Sequence, residues 1–272
     1  METKTDQQQK ELIRERFTRT AQVFGEFAVS HRVKEAELLA RLVQATPNDR
    51  VLDLACGPGT LALRFATQVG WTCGLDLTPA MLEHACRSAA SKKLSRLDFA
   101  IGDAHVLPFA DGSFDIALIS YSLHHMPEPE RVIGEMARVI GRGGRMGILD
   151  IRAPEDPDIA RCSNLIERVR DSSHTRTLAR SEFENILTAR GLRVAAIETI
   201  EDERDFDHWM HVAGWEPGDR EYHETRRLME ATIPDDSAGF HAQFAPSDSS
   251  REGEKPGIRM VNTTLVISAE KL

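Results

Sequence analysis

Between residues 51 and 151, five short apolar runs alternate with stretches of helical period, and this alternation restricts the fold more than any other feature of the chain. The runs are Val51–Ala55, Trp71–Leu77, Leu97–Ile101, Phe114–Ser120 and Arg145–Ile151. They lack the polar alternation of a half-exposed strand, which is the pattern of strands covered on both faces. The stretches between them repeat apolar residues every three or four positions. Val132, Ile133, Met136, Val139 and Ile140, for example, form one stripe in the segment from Pro129 to Ile140. Strands alternating with helices give an open α/β sheet, mostly parallel, with helices on both faces.

The flanks extend this core into a single domain spanning 1–272. Residues 1–45 read as a helical cap, with Val33, Ala36, Leu38, Leu39, Leu42 and Val43 on one face. The core proper runs over 48–151. Residues 152–180 and 205–256 are polar, partly helical insertions suited to a lid over a substrate. Between them, Ser181–Leu192 reads as a helix with Ser181 and Glu184 as its capping box and Gly191 closing it. Arg193–Ile200 is a sixth strand. Ile258–Ser268, of alternating type, is a seventh, expected to run antiparallel.

Composition removes several function classes. The chain carries 34 basic and 43 acidic side chains, a net charge of −9, which repels a phosphate backbone and disfavours nucleic acid as a partner. No apolar run reaches the ~18–20 residues that span a bilayer, and the polar start METKTDQQQKELIRERF is no signal peptide, so no membrane insertion is expected. Four scattered cysteines with no C-x-x-C pair fit a reducing cytoplasm and neither a disulfide framework nor a zinc knuckle. His208-x-x-His211 has one-face helical spacing but no third ligand, so no metal is expected.

Ligands of open α/β sheets bind at the carboxyl ends of the strands. Strand one ends in Asp53-Leu54-Ala55-Cys56-Gly57-Pro58-Gly59, a turn of small residues aimed at a helix N-terminus. Gly57-x-Gly59-x-x-Ala62 also satisfies the dinucleotide fingerprint, which keeps an NAD-dependent oxidoreductase as an alternative. Asp53 lies inside the strand end, where its charge would repel a pyrophosphate but suit a cationic amino group. Asp76 ends strand two, where a carboxylate can take two ribose hydroxyls. Asp103 follows strand three and Ser120 ends strand four.

Taken together, VLDLACGPG, GLDLTPAML, GDAHVLPFADGSFD and SYSLHHMPEPERVIGEMARVIGRGG resemble the class I S-adenosylmethionine-dependent methyltransferases, over roughly residues 48–151. The branch that the chain resembles comprises small-molecule enzymes, among them those of ubiquinone and menaquinone biosynthesis. Ala55 stands where many members have glycine. The resemblance implies a Rossmann-like, seven-stranded sheet with its last strand antiparallel, and methyl transfer to oxygen, carbon or nitrogen of a small molecule. S-adenosylmethionine would be the cofactor and S-adenosylhomocysteine the product. It further implies that Ala55, Gly57 and Gly59 cradle the amino-acid end of the cofactor, with Asp53 at its amino group and Arg32 at its carboxylate. Asp76 would hold the ribose beside Leu77 and Met81, Asp103 and Ala104 the adenine, and Ser120 the floor near the methionine. The acceptor pocket would be roofed by the N-terminal helix and the segments after strands four, five and six.

Proton removal from a hydroxyl, phenol or ring carbon needs a base, and histidine suits that task near neutral pH. His124 and His125, just past strand four, and His174 in the lid are the candidates. The plainer reading of His124 and His125 is a packed or capping side chain, and that of His174 is an exposed polar loop. Trp209 and Trp215 read first as core, with an apolar substrate roof as the alternative. An aromatic or quinone-like acceptor is the favoured partner, and both a monomer and a homodimer are compatible with the sequence. A binding module that keeps the cofactor pocket without catalysis is the remaining rival.

Overall fold

Prolines, glycines and strand-end acids punctuate the chain into its elements in this computed structural model, which describes residues 5–31, 33–245 and 256–272. Two helices, α1 (Asp6–His31) and α2 (Val33–Leu42), precede the alternating core. The core runs β1 (Arg50–Leu54), α3 (Thr60–Phe65), β2 (Trp71–Asp76), α4 (Pro79–Ser91), β3 (Leu97–Ile101), β4 (Phe114–Ser120), α5 (Pro129–Val139) and β5 (Ile140–Ile151). Then come α6 (Pro157–Arg170), α7 (Arg180–Ala189), β6 (Leu192–Asp205), α8 (Phe206–Val212), α9 (Arg220–Thr232), β7 (Gln243–Phe244) and β8 (Ile258–Lys271). Pro79, Pro129 and Pro157 each open a helix, where the absent N–H costs nothing.

The sheet order is β3-β2-β1-β4-β5-β8-β6, with the two-residue β7 paired to β8. Pairings among β1 to β5 are parallel, whereas β8 inserts antiparallel between β5 and β6. The seven expected strands form the continuous path and β7 is an addition at its margin. From β1 the chain goes to β2 on one side and later to β4 on the other. The crevice beyond the carboxyl ends of β1 and β4 is therefore the switch point where such sheets bind ligands.

The unbroken apolar runs are explained by burial on two sides. Val51, Ile116 and Leu118 face α2 and α3 through Ala36, Leu39, Leu61 and Phe65. Their neighbours Leu52, Leu54, Ala117 and Ile119 face α5 and α7 through Val132, Ile133, Met136, Phe183 and Leu187. A third cluster joins Phe206, Trp209 and Met210 of α8 to Tyr222 and Met229 of α9, Ile166 of α6, and Ile258 and Met260 of β8. The insertions thus have their own small core, and Trp209 belongs to it at 3% exposure.

Three local expectations change. Helix α7 begins at Arg180, because Glu182 reaches back to accept the Ala179 N–H at 2.9 Å. The Ser181 hydroxyl donates instead to Glu155 at 2.6 Å and is no cap. Strand β5 starts at Ile140, before the glycines rather than after them; they form an irregularity where the register with β4 jumps. Strands β6 and β8 both outrun their expected ends, pairing as far as Asp205 with Arg259. No helix among the described residues is long and apolar enough to cross a membrane.

Candidate active site

The loop after β1 turns through three left-handed residues, Ala55 (φ 48°), Gly57 (φ 53°) and Gly59 (φ 84°). A Cβ on Gly57 would meet no atom within 4 Å, so its backbone borders open space. One on Gly59 would lie 3.1 Å from Ala85 Cβ, so that glycine serves the packing of α3 against α4. Ala55 holds the same strained region with a side chain, at a cost of roughly 1–2 kcal/mol. Ala55→Gly is expected to stabilise the protein by about 1 kcal/mol, raising its melting temperature by ~2–4 °C in a thermal scan.

Two carboxylates tie this loop to the strand ends. Asp76, buried at the tip of β2, accepts from the Gly57 N–H at 2.8 Å and the Thr78 N–H at 2.7 Å, and burial pushes its carboxyl up. Asp53 accepts the Ala62 N–H at 2.9 Å through one oxygen, while its other, Oδ1, is buried without a partner. Burial, then the charge of Asp76, pushes the Asp53 carboxyl up to about 8. The folded chain therefore holds a proton that the unfolded chain, with an ordinary pKa of ~3.9, has lost. Stability from Asp53 is complete below pH ~4 and falls as pH rises towards about 8. Urea titrations from pH 4 to 9 are expected to show this decline in the wild type and to lose it in Asp53→Asn.

A cavity opens above this loop. Ala55, Gly57, Asp76, Leu77, Met81, Asp103, Ala104 and Ser120 line it together, as do Lys10, Ile13 and Phe17 of α1. Asp53 and Gly59 stand behind its wall, and Arg32 lies outside the described residues. Asp103 is engaged on both oxygens, by Lys10 Nζ at 2.7 Å and by the ring and backbone nitrogens of His105 at 2.9 Å. Against the upward push of burial, these hydrogen bonds hold its carboxyl down at about 2.

A second cavity adjoins the first, and Phe17, Tyr121 and His125 line both. His124 lines only the second. Its Nδ1 lies 2.5 Å from Oδ1 of Asp150, itself 2% exposed at the end of β5. A carboxylate only accepts, so Nδ1 carries a proton and, in the neutral ring, Nε2 holds the lone pair. His125 Nδ1 lies 3.1 Å from the Ser173 hydroxyl, which donates to Asp171 at 2.7 Å. His174 is buried, with Nε2 at 2.9 Å from the Asn164 carbonyl, and lines neither cavity. Burial first, then the neighbouring His124 and His125, holds its imidazole well below the usual histidine range.

A family model described as a methyltransferase domain matches residues 45–214. The uncharacterized methyltransferase YcgJ of Bacillus subtilis (strain 168) is 33% identical over 216 residues, covering 79% of this chain and 85% of that one. The chain belongs to this methyltransferase family. Its fold agrees with the crystal structure of YcgJ, at a TM-score of 0.77 and 29% identity over 88% of this chain and 98% of that one. A 2-phytyl-1,4-naphtoquinone methyltransferase of Synechococcus elongatus is 40% identical over 119 residues, which cover 42% of this chain and 50% of that protein. This methyltransferase is thus of the S-adenosylmethionine-dependent class, and the nicotinamide reading of Gly57-x-Gly59-x-x-Ala62 gains no support.

Sequence reasoning missed several residues that line or support these two cavities. Lys10, Ile13 and Phe17 recur at helical spacing, a signal that marks one face of α1. Asp150 lies at the carboxyl end of β5, much as Asp76 does in β2, and that position is the signal that could have marked it. Ser173 and Asp171 carried no local signal, because their partner His125 is 48 residues away from Ser173 in the chain. The His208 and His211 pair serves α8 locally: the His208 N–H is capped by Asp205, and the His211 ring pairs with Glu216 at 2.7 Å. Trp215 is half-buried and donates its Nε1–H to the Arg170 carbonyl at 2.6 Å.

Proposed function

We propose that the cavity under α1 binds S-adenosylmethionine, that the adjoining cavity binds the acceptor, and that His124 removes the acceptor's proton. The observation that carries this reading is the His124–Asp150 pair, 2.5 Å apart, in the wall of a cavity that shares Phe17, Tyr121 and His125 with its neighbour. The groups of the first cavity fit an adenosyl amino acid. Asp76 is a buried carboxylate for the ribose and the loop at Gly57 leaves open space, while behind the wall the unpartnered Asp53 Oδ1 would meet an ammonium that reaches the loop only once the Asp53 carboxyl gives up its proton.

The cofactor supplies a methyl group on a cationic sulfonium. Everything else falls to the chain. Aligning an acceptor atom with that methyl contributes on the order of 7–11 kcal/mol of the barrier. Leu77 and Met81 would pack beside the ribose, Ala104 beside the adenine, and α1 would exclude water through Ile13 and Phe17. His124 Nε2 accepts the proton as the acceptor's oxygen or carbon forms its new bond. Asp150 stabilises the imidazolium that results, as the buried carboxylate of a catalytic triad does.

The acceptor is read as a hydroxylated aromatic ring or quinol. The quinone methyltransferase among the relatives supports a ring of this kind. The polar lining of the second cavity, with Tyr121, Asn262 and Thr264, suits its oxygens. The test is formation of S-adenosylhomocysteine with a panel of naphthoquinols, catechols and phenols. Transfer by the wild type that is lost in His124→Ala, with cofactor binding retained, supports the reading. Equal transfer by both proteins overturns the role of His124 and points to an acceptor, such as an amine, that arrives without a proton to lose.

A further inference from the structure

His125 borders both cavities, and its partners form a chain that leads back to α1. Ser173, fully buried, gives its hydroxyl proton to Asp171 Oδ1, so its oxygen is left to accept from His125 Nδ1–H. Asp171, 2% exposed, is paired through Oδ2 with Arg16 Nε at 2.6 Å. Arg16 is itself anchored, through Nη1, on the Ala213 carbonyl at 3.0 Å. Gln9, one helical face along, fixes the same junction by donating to the carbonyls of His125 at 2.9 Å and Ser173 at 2.6 Å. The neutral tautomer that satisfies this chain carries its proton on Nδ1 and leaves Nε2 unprotonated.

We propose that Arg16 is a positioning residue that neutralises Asp171 and so keeps His125 an uncharged Nδ1–H tautomer beside the cofactor cavity. This rests on the reading that the cavity takes S-adenosylmethionine, whose sulfonium an imidazolium at the same wall would repel. Without Arg16, a buried carboxylate one hydroxyl away would draw a proton onto His125. The other charged and titratable groups around it are His124 on its own turn, with a ring centroid at 4.2 Å, and His174 beyond. Glu167 and Arg170 of α6 pair with each other beside Asp171. Burial, with His124 and Arg16, takes the His125 imidazole down to about 3, against the pull of Asp171.

The test uses the full chain with 15N-labelled histidine and needs no acceptor. Proton–nitrogen spectra from pH 4 to 8 are expected to show His125 as the neutral Nδ1–H form throughout in the wild type and in Arg16→Lys, and to show its protonation setting in at a higher pH in Arg16→Met. Calorimetry at a pH where the ring of the variant is protonated is expected to show Arg16→Met weakening S-adenosylmethionine about tenfold more than S-adenosylhomocysteine, which lacks the sulfonium charge. A merely structural role would weaken both equally. An unmoved His125 titration in Arg16→Met, as when Asp171 itself takes the proton, overturns the proposal, and so does an unchanged ratio of the two affinities. Should Arg16→Met not fold, Ser173→Ala breaks the same chain with the ion pair intact. It is expected to remove the Nδ1–H preference, and retention of that preference counts against the proposal. Absence of binding of either compound by the wild type would instead break the cofactor reading, and the nitrogen spectra would still judge the state of His125.

Discussion

Methyl transfer by His124→Ala is expected to be slower by about 10²–10⁴-fold, the contribution of a positioned general base. The effect should fall on kcat, because the imidazole acts in the transition state rather than in holding either ligand. Cofactor affinity should stay within about twofold, since His124 lines the second cavity and not the first. Asp150→Asn should share most of the loss. Its carboxylate accepts the His124 ring proton at 2.5 Å and the Ile151 N–H at 2.8 Å, so it both orients the ring and offsets the charge that the ring acquires. Single-turnover rates of the two single variants and the double variant provide the check. A unit acts non-additively, so the double variant should be little slower than His124→Ala. Independent, additive losses would contradict the dyad.

The second large effect concerns Asp76. Replacing it with alanine is expected to weaken S-adenosylmethionine and S-adenosylhomocysteine by about 10²-fold or more, at ~1.5–3 kcal/mol for each hydrogen bond to a charged group. Part of that loss is indirect. The carboxylate also accepts from Gly57 and Thr78, so its removal frees the turn that the ligand would meet. Asp76→Asn keeps one acceptor oxygen and should weaken binding less, by about tenfold. Both compounds should suffer alike, because the ribose is common to them. A loss confined to one of them would place Asp76 somewhere other than at the sugar.

The core was legible because burial on two faces leaves a continuous apolar signature. Val51 with Leu52, and Ile116 with Ala117, need hydrophobic partners on opposite sides of one sheet. The end of β6 was not legible for the opposite reason. Residues 198–205 are mostly charged, which an edge strand tolerates, so Glu201–Asp205 pairs with β8 without any apolar pattern to announce it. Strand-end acids followed the same logic. Asp53 leads into the glycine turn and Asp76 ends a strand just before Thr78-Pro79, so both drew attention, whereas Asp150 lies one residue before the end of β5 with no such motif beside it. The chain from Arg16 through Asp171 to His125 joins three distant segments, and no local periodicity encodes such a meeting.

The central claim is that the cavity at the ends of β1, β2 and β4 is an S-adenosylmethionine site. Calorimetric titration of S-adenosylmethionine, S-adenosylhomocysteine and NAD into the wild type and Asp76→Ala tests it most directly. The account predicts micromolar binding of the first two by the wild type, loss of that binding in the variant, and no heat with NAD. Binding of NAD alone, or equal affinity of the wild type and Asp76→Ala for S-adenosylmethionine, would contradict it.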